Sequence, residues 1–139
     1  MSEENKEIQQ VFSRKLCDHD LLKFADNANR YNFQVGVTLV CKGLMISGLI
    51  ISGRDYYEGV ADSFGPNEDS TVAFSNYFRN AAKDRYSPET YDDVEINFIH
   101  LKNVSVRIGD GQFGDFNKAF LRLKIEEIDG YIFGQPMPA

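Results

Sequence analysis

Three strand-like blocks constrain the fold of this chain more than any other feature. They span residues 37–52, 96–108 and 120–134 and are rich in β-branched and aromatic side chains. Apolar residues occupy alternate positions from Phe33 through Val37 to Cys41. A two-residue period is typical of a β-strand with one buried face. The blocks together predict one small, bent β-sheet.

A turn signal divides the first block into two strands. Lys42 and Gly43 interrupt the alternation, and an apolar, β-branched run resumes at Leu44. Glycine adopts the positive φ that tight hairpin turns require. We therefore predict an antiparallel hairpin centred on Lys42 and Gly43.

The second block changes phase partway along. Its apolar residues stand at even positions up to Phe98, at odd positions at Ile99 and Leu101, and at even positions again from Val104. A flat strand with one buried face would keep a single phase. We expect either a bend or bulge near residues 100–103, or a strand that is covered on both faces there.

The third block predicts the end of the sheet. Leu121, Leu123 and Ile125 alternate with polar residues, and Asp129-Gly130 predicts a tight turn before a last short strand. The three blocks then supply about five strands.

Helical periodicity precedes the sheet. Apolar residues recur at helical spacing from Ile8 to Leu16, and a second apolar face, from Leu21 to Ala28, follows Asp18 or Asp20 as a candidate cap. The sequence predicts one or two short N-terminal helices.

A helical insertion is predicted between the second and third strands. Tyr56, Tyr57, Val60 and Phe64 suggest a short helix that ends at Gly65-Pro66. A longer helix follows, because apolar residues return every three to four positions. Those residues are Val72, Ala73, Tyr77, Phe78, Ala81 and Ala82.

These elements predict an α+β protein. The sheet is expected to be a small, strongly bent antiparallel sheet or an SH3-like or Sm-like barrel of about five strands. An open sheet with the helices packed across one face has the same alternation, so periodicity does not separate the two. We expect residues 1–139 to form one domain. Residues 1–18 are a candidate flexible segment within it.

Charge and apolar content limit the classes of partner. The chain has 15 Lys and Arg against 21 Asp and Glu, a net charge of -6. Binding to a phosphate backbone needs clustered basic residues, so nucleic acid is disfavoured as a partner. The acidic, polar N-terminus does not resemble a secretory leader, and the longest apolar stretch, 44–51, is far shorter than the roughly 20 residues that span a bilayer. We expect a cytoplasmic protein without a membrane partner.

The residue types that carry catalysis or bind metals form no convincing pattern. Cys17 and Cys41 lack C-x-x-C spacing, which disfavours a disulfide or a structural zinc site, and Cys41 is expected to fill the core. The neighbouring acids of Asp18-His19-Asp20 and of Asp92, Asp93 and Glu95 lack the spacing of a zinc or calcium site. We expect no catalytic residues, no metal and no cofactor.

His100 and the glycine-rich loop at 109–115 are the remaining candidates for chemistry. An exposed imidazole at His100, beside Lys102, could act as a base or a pH switch. A strand histidine held by a hydrogen bond is the favoured interpretation. The glycine-rich loop lacks the lysine and the following helix of a phosphate-binding loop.

Aromatic residues outnumber what a small sheet needs to cover itself. Phe113 and Phe116, in the glycine-rich loop, are the pair most readily expected to be exposed. Such residues could dock a partner or a second copy of the chain. The candidate binding residues are Tyr56, Tyr57, His100, Phe113, Phe116 and Tyr131.

At the three blocks the sequence resembles the gas vesicle accessory protein U family, GvpU. The matching segments are ISGLIIS at 46–52, FIHLKN at 98–103 and KIEEIDGYIFG at 124–134, in the family's order. The acidic-aromatic segment Arg54-Asp55-Tyr56-Tyr57 and the Gly109-Asp110 turn also look like family positions. The resemblance spans about residues 33–134 and carries no catalytic motif to transfer.

The resemblance implies a non-enzymatic accessory of gas vesicles, the protein-shelled, gas-filled flotation organelles of some bacteria. It implies an influence on vesicle clustering or assembly through contacts with the vesicle shell, with other gas vesicle proteins or with further copies of the chain. Two alternatives remain from the residues themselves. One is an Sm-like regulatory module that binds RNA through basic residues brought together in an oligomer. The other is a small-ligand-binding protein with a pocket centred on His100 and Tyr131.

Overall fold

The computed structural model describes residues 18–65, 69–93, 95–116 and 118–135. The helices within them are α1 (His19–Tyr31), α2 (Gly53–Ser63) and α3 (Asp69–Arg85). The strands are β1 (Val35–Cys41), β2 (Leu44–Ile51), β3 (Phe98–Ile108), β4 (Gly114–Asp115), β5 (Phe120–Lys124) and β6 (Gly130–Phe133). The helix predicted between Ile8 and Leu16 lies outside the described residues.

All six strands belong to one antiparallel sheet. β3, β2 and β1 form its middle, β6 pairs with β1 at one side, and both β4 and β5 pair with β3 at the other. The predicted α+β class and antiparallel sheet are confirmed. Among the described strands no pairing joins β6 to β4 or β5, so the sheet is open. The SH3-like or Sm-like barrel is therefore not confirmed.

The predicted hairpin joins β1 to β2. Cys41 pairs with Leu44, and the two residues between them have positive φ, 50° at Lys42 and 84° at Gly43. Two positive φ values match the right-handed twist of a two-residue hairpin. The hairpin prediction is confirmed, and Cys41 is buried as expected.

A bulge explains the phase change in β3. Ser47 pairs with Ser105 and Leu49 with Lys102, so β3 contains one residue more than β2 in this interval. Asn103 takes a positive φ of 54° there. The strand is also covered on both faces just before the bulge, because Ile99, His100 and Leu101 are all buried. Both predicted explanations are found together.

The two faces of the sheet contact different helices. On one face α1 packs its buried residues against the main core, which includes Val37, Leu39 and Leu101. Asp18 caps α1 by accepting the Leu21 N–H at 2.9 Å. On the other face, α2 and α3 enclose a second cluster, which consists of Tyr57, Ala81, Ala82 and Tyr86. The face that carries His100 therefore lies beneath aromatic side chains.

The longer helix predicted from apolar spacing is found as α3, and only part of its apolar surface is buried. Ala81 and Ala82 are buried and Phe78 is half-buried. Val72, Ala73 and Tyr77 are instead exposed. α3 has its most extensive contacts with the short helix α2, so only part of its apolar surface is covered.

The last turn differs from the prediction. β5 ends at Lys124, and a 3-10 turn at Ile125–Glu127 redirects the chain before β6. Gly130 is the first residue of β6 and does not have a positive φ. Asp129 bonds to the first hairpin instead, since its carboxylate accepts the Lys42 N–H at 2.9 Å and its own N–H donates to the Val40 carbonyl at 2.8 Å. The connection is thus held by contacts that are distant in sequence.

Candidate functional site

The loop after β3 presents one exposed aromatic side chain on a fixed backbone. Phe116 is 57% exposed. Its N–H donates to the Val104 carbonyl at 2.9 Å, and the two preceding residues form β4. Phe113 is half-buried instead, with the Arg107 guanidinium 5.2 Å from its ring centre. Of the predicted loop pair, Phe116 is the residue available to a partner.

Phe116 lies at a groove beside the β3 bulge. Two adjoining depressions of about 510 and 370 Å³ share Asn103 and Lys118. The first also contains Asp115 and Phe116, and the second contains Phe120 among its apolar lining. We call the combined feature, lined by Asn103, Asp115, Phe116, Lys118 and Phe120, the Phe116 groove. Its mixture of aromatic rings with charges of both signs suits a protein partner.

His100, Tyr56 and Tyr57 come together, with His100 and Tyr57 buried and Tyr56 half-buried. The ring centre of His100 lies 4.8 Å from that of Tyr56, 6.3 Å from that of Tyr57 and 5.9 Å from that of Tyr86. His100 is only 3% exposed, and its Nε2 has no hydrogen-bond partner among the described residues. The exposed imidazole is therefore not found, and the hydrogen bond expected for a strand histidine is not made at Nε2.

The burial of His100 decides its protonation state. Desolvation, assisted by the nearby positive charge of Arg122, lowers the pKa of His100 to about 3. The imidazole is therefore neutral at physiological pH, where it is too weak a base to act as a switch. Tyr57 is also buried, so neither side chain offers surface to a partner.

Tyr131 lies apart from this cluster. It belongs to β6, which is separated from β3 by β1 and β2. Its hydroxyl donates to Asp18 Oδ1 at 3.1 Å. Desolvation and this hydrogen bond raise the pKa of Tyr131. Among the described residues His100 and Tyr131 therefore lie on separated strands and line no common pocket.

Two exposed apolar areas were missed by the sequence analysis. Ile132 and Phe133 are exposed on β6, the strand at the side of the sheet, and Phe74 joins Val72 and Tyr77 on α3. The alternation and the helical spacing showed that these positions are apolar. Neither pattern showed which of these positions no neighbouring helix or strand buries.

The candidate acids have structural contacts. Asp92 pairs with Arg30 at 2.7 Å, and Asp18 caps α1. Within the ranges that the structure describes, no group of three or more His, Cys, Asp or Glu side chains is arranged to hold a metal ion. In the same ranges, no helix combines the length and the apolar character that crossing a membrane requires.

Comparison with known proteins gives one result that identifies the family. No curated protein sequence matches the chain. A family model described as "Gas vesicle protein GvpU-like" matches residues 18–136 of the 139. The match includes all three strand-like blocks, the helical insertion and the Phe116 groove. The chain therefore belongs to the GvpU-like family of gas vesicle proteins.

Proposed function

We propose that this protein is a non-enzymatic, cytoplasmic accessory of gas vesicles that influences how vesicles cluster or assemble. Membership of the GvpU-like family supports the link to gas vesicles. In this proposal the protein binds the vesicle shell or another gas vesicle protein, and it also binds further copies of itself. Many weak contacts on one large particle would then add to a stable association.

The proposed contact surface is centred on Phe116, and the observation that supports it is the exposure of the Phe116 ring. An aromatic side chain on a fixed backbone can bury a large apolar area with little loss of conformational entropy. Lys118 at the groove and Lys102 beside it would favour a partner segment that combines apolar and acidic side chains. The buried positions of His100 and Tyr57 leave Phe116 as the better contact among the predicted residues.

Replacing Phe116 by Ala is expected to weaken binding to isolated gas vesicles about tenfold or more, as for a central aromatic contact. Flotation of purified protein with vesicles, over a range of protein concentrations, measures this change. Phe113 should be left intact, because its ring contacts Arg107 of β3 and its loss would disturb the loop itself.

Tyr31→Ala is the matched control for that experiment. Tyr31 is 74% exposed at the end of α1 and does not line the Phe116 groove. Its removal should leave vesicle binding unchanged. Equal losses of vesicle binding in both variants would mean that exposed aromatic side chains adhere to vesicles without a specific site. A wild-type protein that does not float with the vesicles would contradict the vesicle-binding proposal.

Self-association is proposed to use β6. This strand pairs with β1 along one edge, and no described strand pairs with its other edge. Unpaired strand edges with exposed apolar side chains are prone to pair with a second chain. Ile132, which is 59% exposed, lies on this strand. A second copy of the chain is therefore the proposed occupant of the edge.

Replacing Ile132 by Lys is expected to shift the purified protein from an oligomer to the 15.8 kDa monomer. A charge on an edge strand opposes edge-to-edge pairing. Sedimentation velocity gives the masses. Ile108→Lys is the matched control, because Ile108 is also exposed but lies on β3, which is paired with β2 on one side and with β4 and β5 on the other. A wild-type protein that sediments only as a monomer would rule out this part of the proposal.

A further inference from the structure

Two arginines converge on the hydroxyl of Tyr57 in the second cluster. Arg85 Nη1 donates to Tyr57 Oη at 3.1 Å, and Arg122 Nη1 donates to the same oxygen. No carboxylate among the described residues forms an ion pair with either guanidinium. Two positive charges therefore lie close together with no carboxylate of the described residues paired to them, although the chain as a whole is acidic.

Three of the four other described arginines have a carboxylate partner, whereas the fourth, Arg107, lies over the ring of Phe113. Arg30 pairs with Asp26 and Asp92, Arg54 with Glu58, and Arg79 with Asp62. Each of these pairs brings a guanidinium within about 3 Å of a carboxylate oxygen. Arg85 and Arg122 instead contact aromatic faces. A ring face attracts a cation but does not neutralise its charge.

The fold fixes the position of both arginines. Arg122 lies on β5 directly opposite His100 of β3, and its guanidinium carbon is 3.8 Å from the ring centre of Phe98. Arg85 is the last residue of α3, with its guanidinium 5.7 Å from the ring centre of Tyr57. Packing on these rings holds the planar groups in place, so less conformational entropy is lost when they bind a ligand.

A cleft of about 210 Å³ adjoins the pair. Asn29, Asn97, Tyr86 and Glu95 line it together with the two arginines. The Asn29 side-chain oxygen accepts the Gly53 N–H at 2.8 Å, so the amide NH2 group is the part of this side chain left to donate. A water molecule takes up about 30 Å³ in the liquid, so the cleft has room for a small anion and several waters. Glu95 is the acidic residue at this cleft, and it is exposed.

We propose that this cleft binds a small oxyanion, a phosphate or a carboxylate group, between Arg85 and Arg122. A guanidinium presents parallel N–H donors whose geometry matches the two oxygens of either group. The bound anion compensates the two positive charges and connects the end of α3 to β5. This site is separate from the Phe116 groove and does not depend on the vesicle-binding proposal.

Inorganic phosphate and acetate are the two probes, added to the purified full-length chain with chloride as the ionic-strength control. We expect a saturable rise in melting temperature with at least one of them. Changes in the side-chain amide NMR signals of Asn29 and Asn97 should follow the same binding curve. A response to phosphate alone, or to acetate alone, supports the site and identifies the group it prefers.

Arg85→Gln is expected to weaken the binding about tenfold, which corresponds to the loss of a charge-assisted hydrogen bond. Arg85 lies at an exposed helix end, so this variant should fold. Arg79→Gln is the matched control on the same helix, because Arg79 is exposed and pairs with Asp62 away from the cleft. Unchanged affinity in Arg85→Gln, or no saturable response of the wild-type protein to either anion, would overturn the proposal.

Discussion

Acidification from pH 7 to pH 4 is expected to destabilise the native fold, and replacement of His100 is expected to remove a large part of that loss. The pKa of His100 is lowered to about 3 in the folded protein, chiefly by desolvation. In the unfolded chain an imidazole titrates near 6.5. Between these two values the unfolded chain binds a proton that the native state does not bind. The free energy of unfolding therefore falls as the pH drops below about 6.5 towards 3.

Inside that window the protonation of His100 alone is expected to lower the free energy of unfolding by about 1.4 kcal/mol for each unit of decreasing pH. Between pH 6.5 and pH 4 the resulting loss in the free energy of unfolding is on the order of 3 kcal/mol. The groups packed around the imidazole are Tyr56, Tyr57, Tyr86 and Arg122, and none of them is an acid that could stabilise the protonated form. Above about pH 6.5 the imidazole is neutral in both the folded and the unfolded state, so His100 causes no loss of stability there.

Urea unfolding at several pH values, followed by far-UV circular dichroism, measures this effect. His100→Leu and His100→Gln should both show a shallower loss of stability with falling pH than the wild-type protein. The carboxylates of the chain contribute to the pH dependence of all three proteins. The difference between the wild-type curve and a variant curve therefore gives the effect of the imidazole alone. The two variants are useful together, because Gln keeps a polar group in the buried site and Leu does not. Parallel curves for all three proteins would contradict the buried, neutral histidine.

Local sequence patterns predicted the parts of the sheet that local interactions determine. The alternation from Phe33 to Cys41 and the turn at Lys42-Gly43 correspond to strands and a hairpin, since both depend on adjacent residues. The phase change near residues 100–103 correctly located the bulge at Asn103. In contrast, the turn expected at Asp129-Gly130 failed because Asp129 is held by Lys42 and Val40 of the first hairpin. Sequence spacing carries no information about such distant partners.

The helical insertion shows a second limit of periodicity. The apolar residues between Val72 and Ala82 recur at spacings that fit a helix, but the spacing does not show which apolar side a neighbour covers. α2 covers only one side of α3, so Val72 and Tyr77 remain exposed while Ala82 is buried. The apolar repeat thus indicated the helix correctly but did not indicate which of its sides is buried.

The candidate sites were predicted unevenly for a similar reason. Phe116 could be found because glycines on its loop indicate exposure. Arg85 and Arg122 could not, since they come from an insertion helix and a late strand and meet only at Tyr57. Their significance also depends on the absence of a paired carboxylate among the described residues, which no linear pattern reveals. Sites of this kind become visible only when the tertiary contacts are known.

Replacing Gly53 by Ala is expected to lower the free energy of unfolding by about 2 kcal/mol, through overpacking of the second cluster. Gly53 begins α2, and a Cβ at this position would overlap the ring of Tyr86, which is buried. That ring also packs beside Tyr57 and His100, with centres 5.7 and 5.9 Å away, so it has little freedom to move aside. The Gly53 N–H further fixes the helix start by donating to Asn29.

Gly130→Ala is the matched control for the Gly53 prediction. A Cβ at Gly130 would meet no described atom within 4 Å, and the backbone there has no positive φ that would strain alanine. Its free energy of unfolding should stay within about 0.5 kcal/mol of the wild-type value. Urea unfolding at pH 7 compares the three proteins. Comparable stabilities of Gly53→Ala and Gly130→Ala would mean that α2 does not pack against Tyr86 closely enough to require glycine, and the cluster that buries His100 would then be looser than described.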